Sequence, residues 1–134
     1  MKVLFVDDEP DVLEQAKIFL EREKEEIEVE TASSAEEGLE LLNEKKYDFI
    51  ISDYKMPEMD GLEFLEHVRE NLNSGTPFII LTGKGREDLG LETLEQGAQW
   101  YIEKETNPES QYKNLANAMT LTIERGAEGA RPIR

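Results

Sequence analysis

The chain has 134 residues, 38% hydrophobic and 34% charged, a composition that fits one folded domain with its own core and is not that of a disordered chain. Its net charge of −16 works against direct binding to nucleic acid or to an anionic membrane. With no cysteine, no apolar run near the roughly 20 residues that span a bilayer and a start, MKVLFVDD, too short and acidic for a secretory leader, the expected location is cytoplasmic.

In chain order, the first apolar run is VLFV (3–6), nearly continuous, as a strand buried on both faces should be. Pro10 then suits a first helical turn, and Val12, Ala16, Phe19 and Leu20 recur at helical spacing. IEVET (27–31) alternates, which suggests an edge strand. The pair of serines before Ala35, Leu39 and Leu42 caps a second helix. DFIIS (48–52) is a third strand, followed after Gly61 by a helix carrying Leu62, Leu65, Val68 and Leu72. FIILT (78–82) is the fourth strand, and a weaker helix interrupted by Gly90 is expected at about 86–96. WYIE (100–103) is the fifth strand. TNPES then starts a last helix with a stripe of Tyr112, Leu115, Ala116, Met119 and Ile123. The domain is drawn as 1–126, with GAEGARPIR leaving 127–134 as a linker or disordered tail.

Strand and helix alternate five times, which predicts an α/β fold: a doubly wound five-stranded parallel sheet with helices on both faces. Ligands in such sheets bind beyond the carboxyl ends of the strands. Polar residues gather at that rim. Asp7 and Asp8 follow strand one, Asp53 ends strand three, Thr82 ends strand four and Lys104 follows strand five. Three converging carboxylates repel unless a cation sits among them. Hard oxygen ligands favour Mg²⁺, which leaves positions for phosphate oxygens. Lys104 brings a compact positive charge suited to a phosphoryl group, and a carboxylate can serve as nucleophile and form an aspartyl phosphate.

VDDEP (6–10), SDYKMPEMDG (52–61), ILTGKG (80–85) and GAQWYIEK (97–104) match, in order and spacing, the motifs of response-regulator receiver domains of two-component signalling, which the chain resembles from residue 3 to about 123. The resemblance implies the flavodoxin-like strand order 2-1-3-4-5. It also implies roles: Asp53 as phosphoacceptor, Asp8 and, largely through water, Asp7 as Mg²⁺ ligands, and the Lys55 carbonyl completing the metal's protein ligands. Lys104 would hold a phosphoryl oxygen, Thr82 would move towards it and Tyr101 would change rotamer with Thr82. Met56, Pro57 and Gly61 would shape the turn after Asp53, and one or both of Lys55 and Lys84 would reach over the phosphate and alter its lifetime. The implied partners are a histidine kinase or histidine phosphotransfer domain and a downstream output domain or protein. A homodimer would use the face at about 86–123, and neither nucleic acid nor membrane is expected as a direct partner. The implied activity is that of a signalling phosphoacceptor that resets itself by autodephosphorylation, rather than that of an enzyme.

Other readings compete. Taken singly, Asp8 reads as a helix cap, Asp53 as a turn residue, Tyr101 as plain core and Lys104 as a surface lysine; Glu9 reads as a capping acid and His67 as solvated. A haloacid-dehalogenase-type phosphatase would place its nucleophile after strand one in a D-x-D context, whereas the acids there are adjacent and no cap domain is present. No glycine-rich phosphate loop follows strand one, against a nucleotide-binding fold. An interaction module that no longer accepts phosphate is kept in play by one departure: the family's usual proline after the active-site lysine is Glu105 here, which predicts a trans bond and a rearranged KETNP loop.

Overall fold

The computed structural model describes residues 1–72, 74–83 and 95–129, with side chains as far as Glu124. Five strands, β1 (Lys2–Val6), β2 (Glu28–Ala32), β3 (Phe49–Asp53), β4 (Phe78–Thr82) and β5 (Trp100–Glu103), pair in parallel in the order β2-β1-β3-β4-β5. Among the described residues four helices accompany them: α1 (Pro10–Glu23), α2 (Ala35–Glu44), α3 (Gly61–Glu70) and α4 (Pro108–Gly129). The doubly wound parallel sheet and its strand order are those expected.

The sheet has a core on each face because successive strand residues point to opposite sides. Val3, Phe5, Phe49, Ile51, Ile79 and Leu81 face one way and pack under α1 and α4 against Ala16, Leu20, Tyr112, Leu115 and Met119. Leu4, Val6, Ile50, Phe78 and Ile80 face the other way, against Phe64, Leu65 and Val68 of α3 and partly buried Leu39 and Leu42 of α2. The continuous apolar runs of β1, β3 and β4 are therefore buried on both sides.

Local chemistry sets the helix starts. Ser34 Oγ accepts the Glu37 N–H at 3.1 Å. Asp60 and Glu63 form a reciprocal capping box at 2.8 and 2.9 Å. Asn107 Oδ1 accepts the Glu109 N–H at 2.9 Å ahead of α4, which starts at Pro108. Gly61 is needed where α3 begins: a Cβ there would lie 2.5 Å from the Asp53 carbonyl oxygen. Between β3 and α3, Met59 N–H donates to the Pro57 carbonyl at 2.8 Å around Glu58, which has a positive φ of 68°. A non-glycine residue in that region is locally strained, and here the turn lies beside the candidate site.

Several expectations need correction. Ile123 is 53% exposed, while Thr122 is buried and accepts the Trp100 indole N–H at 2.7 Å. The indole needs an acceptor more than the core needs another aliphatic group, so the stripe drifts one residue. Leu72 lies beyond α3, which ends at Glu70. Helix α4 continues to Gly129, past the boundary drawn at 126, so the segment after 126 begins as helix. The helix expected at about 86–96 falls almost wholly outside the described residues.

Candidate functional site

Each strand on the sheet's inner rows ends in a residue with a functional group. Asp7 follows β1 and is fully buried; its N–H donates to the Ala32 carbonyl at 3.1 Å, which fixes its backbone at the carboxyl end of the sheet. Asp8, next in the chain, is exposed. Asp53 ends β3 and Thr82 ends β4, both buried. Lys104 follows β5 with its N–H on the Thr82 carbonyl at 2.7 Å. Asp7, Asp8 and Asp53 each offer a carboxylate oxygen, all within 4.8 Å of one another. Lys104 Nζ lies 2.7 Å from Asp53 Oδ1. The three aspartates and Lys104 thus lie together, and Thr82 is joined to Lys104 through its backbone carbonyl.

The electrostatics follow from burial. Removal from water pushes the Asp7 carboxyl up to about 6, helped by the nearby charges of Asp53 and Asp8 and opposed by the Glu9 N–H and Lys104. Burial also raises Asp53, against the hydrogen bond and charge of Lys104. For Lys104, burial alone would favour the neutral amine; the hydrogen bond it donates to Asp53 and the charges of Asp53 and Asp7 outweigh it and hold the ammonium above its usual range.

One Asp7 oxygen, Oδ1, accepts the Glu9 N–H at 2.9 Å, whereas Oδ2 is buried with no hydrogen-bond partner among the described residues. A buried carboxylate oxygen left without a donor is costly unless something positive meets it. An all-oxygen donor set, mutually close and open on one side, fits a hard divalent cation such as Mg²⁺. The open side is a cavity of about 490 Å³ lined by Asp8, Glu9, Asp53, Lys55, Met56, Pro57 and Lys104.

Glu9 therefore differs from its sequence reading. It occupies the N-cap position of α1, but its side chain makes no capping hydrogen bond and instead borders the cavity. Its backbone N–H donates to Asp7 Oδ1. Lys55 stands exposed on the cavity wall, and Tyr101 is half-buried on β5 opposite Ile80. Lys84 lies outside the described residues. His67 is half-buried with its Nδ1 2.7 Å from Asn71 Nδ2, and it does not line the cavity. The described residues contain no cis peptide bond, so the bond between Lys104 and Glu105 is trans, as the loss of proline predicts.

A parallel sheet in this order with three acids, a lysine and a buried threonine at its carboxyl rim is the arrangement of a receiver. Residues 3–116 match the family model for the response regulator receiver domain, and the chain belongs to that family, the receiver domains of two-component signalling. It is 35% identical to the transcriptional regulatory protein SrrA of Staphylococcus aureus over 136 aligned positions, which cover 98% of this chain and 55% of SrrA. The chain thus spans about half the length of that curated relative. Among solved structures it resembles the chemotaxis response regulator CheY4 of Vibrio cholerae, with a TM-score of 0.75 and 34% identity over 87% of this chain and 96% of that one. It also resembles a response regulator receiver domain protein from Clostridium thermocellum, with a TM-score of 0.72 and 33% identity over 90% of this chain and 97% of that one.

Proposed function

We propose that this receiver domain takes a phosphoryl group onto Asp53 from the phosphohistidine of a histidine kinase or histidine phosphotransfer domain. The observation that carries the reading is the cluster itself: three carboxylate oxygens within 4.8 Å, with Lys104 Nζ 2.7 Å from Asp53 Oδ1. The Asp53 carboxylate attacks phosphorus in line, the P–N bond breaks and its electron pair stays on the imidazole nitrogen. Asp7, Asp8, Asp53 and the Lys55 carbonyl would hold Mg²⁺, which when bound supplies neutralisation of the phosphoryl oxygens. Lys104 passes from the Asp53 carboxylate to a phosphoryl oxygen. The Thr82 hydroxyl turns towards the same group, and Tyr101 follows.

The phosphoryl contacts to Thr82 and Lys104 are the differential interactions that would shift the face at about 86–123 towards a new partner affinity. That face would meet an output domain or protein, or a second copy of the chain. Water attack on phosphorus later breaks the bond to Asp53 and regenerates the carboxylate, so the domain resets itself. Lys55 and Lys84 would govern that water's approach: Lys55→Ala or Lys84→Ala should change the dephosphorylation rate. The reading places the domain in the cytoplasm, away from direct nucleic-acid and membrane contact, in keeping with the charge of −16. Among the described residues no helix is long and apolar enough to cross a membrane.

The test is uptake from acetyl phosphate followed by intact mass. A labile gain of one phosphoryl group that requires Mg²⁺ and disappears in Asp53→Ala is the expected result. Metal binding without any gain would instead leave an interaction module that no longer accepts phosphate.

A further inference from the structure

Lys104 must deliver its ammonium to one point, yet its stem is four flexible carbons long, so the placement of its backbone decides where Nζ arrives. On the chain's upstream side that backbone is fixed by the sheet, through the Lys104 N–H on the Thr82 carbonyl at 2.7 Å. On the downstream side it is fixed by α4. Gln111 Oε1 accepts the backbone N–H of Glu105 at 2.8 Å, and Asn114 Nδ2, one helical turn on, donates to Glu105 Oε2. The residue directly after the lysine is thus held at both its amide and its carboxylate.

Gln111 is only 6% exposed and, with Asp7, Lys104, Glu105 and Tyr112, borders a second cavity of about 120 Å³ behind the acidic cluster. The direction of its amide is set chemically. The Glu105 N–H can only donate, so the carbonyl oxygen of Gln111 must face it. That orientation leaves Gln111 Nε2 buried with no acceptor among the described residues. A methionine or leucine would fill the same space without a half-satisfied amide, so packing alone does not account for glutamine. The N–H it holds exists because residue 105 is not a proline.

We propose that Gln111 is a positioning residue for Lys104: by accepting the Glu105 N–H it fixes the backbone that carries the lysine to Asp53. This rests on the phosphoacceptor reading above. Displacement of a reacting group by about 1 Å can slow a reaction on the order of 100-fold, so a partial loss of this hold should be visible in rate.

The experiment compares initial rates of phosphoryl gain from acetyl phosphate in saturating Mg²⁺, beside Mg²⁺ affinity by titration. The proteins are wild type, Gln111→Met, Gln111→Glu, Glu105→Pro, and Gln111→Met combined with Glu105→Pro. Gln111→Met should slow uptake about tenfold while Mg²⁺ affinity moves less than about twofold. Gln111→Glu keeps the acceptor oxygen and should return the rate towards wild type. In the Glu105→Pro background there is no N–H to hold, and Gln111→Met should add no further loss. A wild-type rate in folded Gln111→Met, or an equal loss in both backgrounds, overturns the proposal. Hydrogen exchange of the Glu105 amide in the wild type decides the matter if Gln111→Met does not fold: protection supports the hold, and exchange at the rate of an open loop overturns it. No uptake by the wild type would defeat the phosphoacceptor reading itself, and with it the role given to Gln111. Uptake by the wild type with no effect of Gln111→Met defeats only the present inference.

Discussion

Asp7 pays for its position in stability. Burial pushes its carboxyl up to about 6 when no metal is bound, above the ordinary value of roughly 4. Between those values the folded protein binds the proton more tightly than the unfolded chain, so metal-free stability falls as pH rises through that window and stays low above it. The arithmetic of two pK units gives an effect on the order of 3 kcal/mol. Asp7→Asn keeps an oxygen for the Glu9 N–H and removes the charge. It should stabilise the metal-free protein near neutral pH by about 2 kcal/mol, read by denaturant unfolding in chelator, and the advantage should vanish in acid. Saturating Mg²⁺ should stabilise the wild type more than it stabilises Asp7→Asn, which keeps Asp8 and Asp53 but leaves the metal one carboxylate short. An unchanged wild-type midpoint on metal addition would count against the cation site.

At this scale Asp7, Asp8, Asp53, Thr82 and Lys104 were legible because each stands at the end of an apolar run, where a parallel sheet gathers its polar groups. Glu9 was not, since the same spacing that makes an N-cap also puts its side chain on the cavity wall. Neither was Gln111, whose partner is a backbone N–H, and backbone partners leave no pattern in side-chain chemistry.

At the scale of elements, helix starts and strand cores could be read from caps and apolar periodicity, but contacts between elements could not. Gly61 shows the difference. The sequence marks it as a turn residue, while the reason for glycine is the approach of α3 to the Asp53 carbonyl, at 2.5 Å from where a Cβ would sit. Gly61→Ala should therefore cost roughly 1–3 kcal/mol in unfolding free energy and slow phosphoryl uptake by shifting the backbone of Asp53. A stable, fully active variant would show that the helix can retreat without penalty. The α4 stripe teaches the same lesson. Thr122 is buried because Trp100 on β5 needs an acceptor for its indole N–H, so the periodic aliphatic at 123 turns outwards. Thr122→Val orphans that buried donor and should lose roughly 1–3 kcal/mol, with a change in Trp100 emission. Ile123→Ser should move the unfolding midpoint little.

For the whole molecule, alternation of strand and helix predicts a parallel doubly wound sheet, but alternation alone does not fix the order of the strands. The order 2-1-3-4-5 came from resemblance, and the pairing of β1 with both β2 and β3 bears it out. A net charge of −16 on one domain makes self-repulsion a global term. Raising NaCl from low to moderate ionic strength should therefore stabilise the metal-free protein by on the order of 1 kcal/mol, a few degrees in Tm. Mg²⁺ at equal ionic strength should add stability beyond that through the acidic cluster. Equal effects of the two salts would mean that charge screening explains everything.

The central claim is that Asp53 carries the phosphoryl group, and borohydride trapping tests it at the bond itself. An acyl phosphate is reduced by borohydride to the alcohol, which converts the modified aspartate to homoserine in place. After incubation with Mg²⁺ and acetyl phosphate, peptide mass mapping should find homoserine at position 53, absent without metal or phosphodonor. Homoserine at position 7 or 8 instead, or none in a protein that has gained phosphoryl mass, would contradict the account.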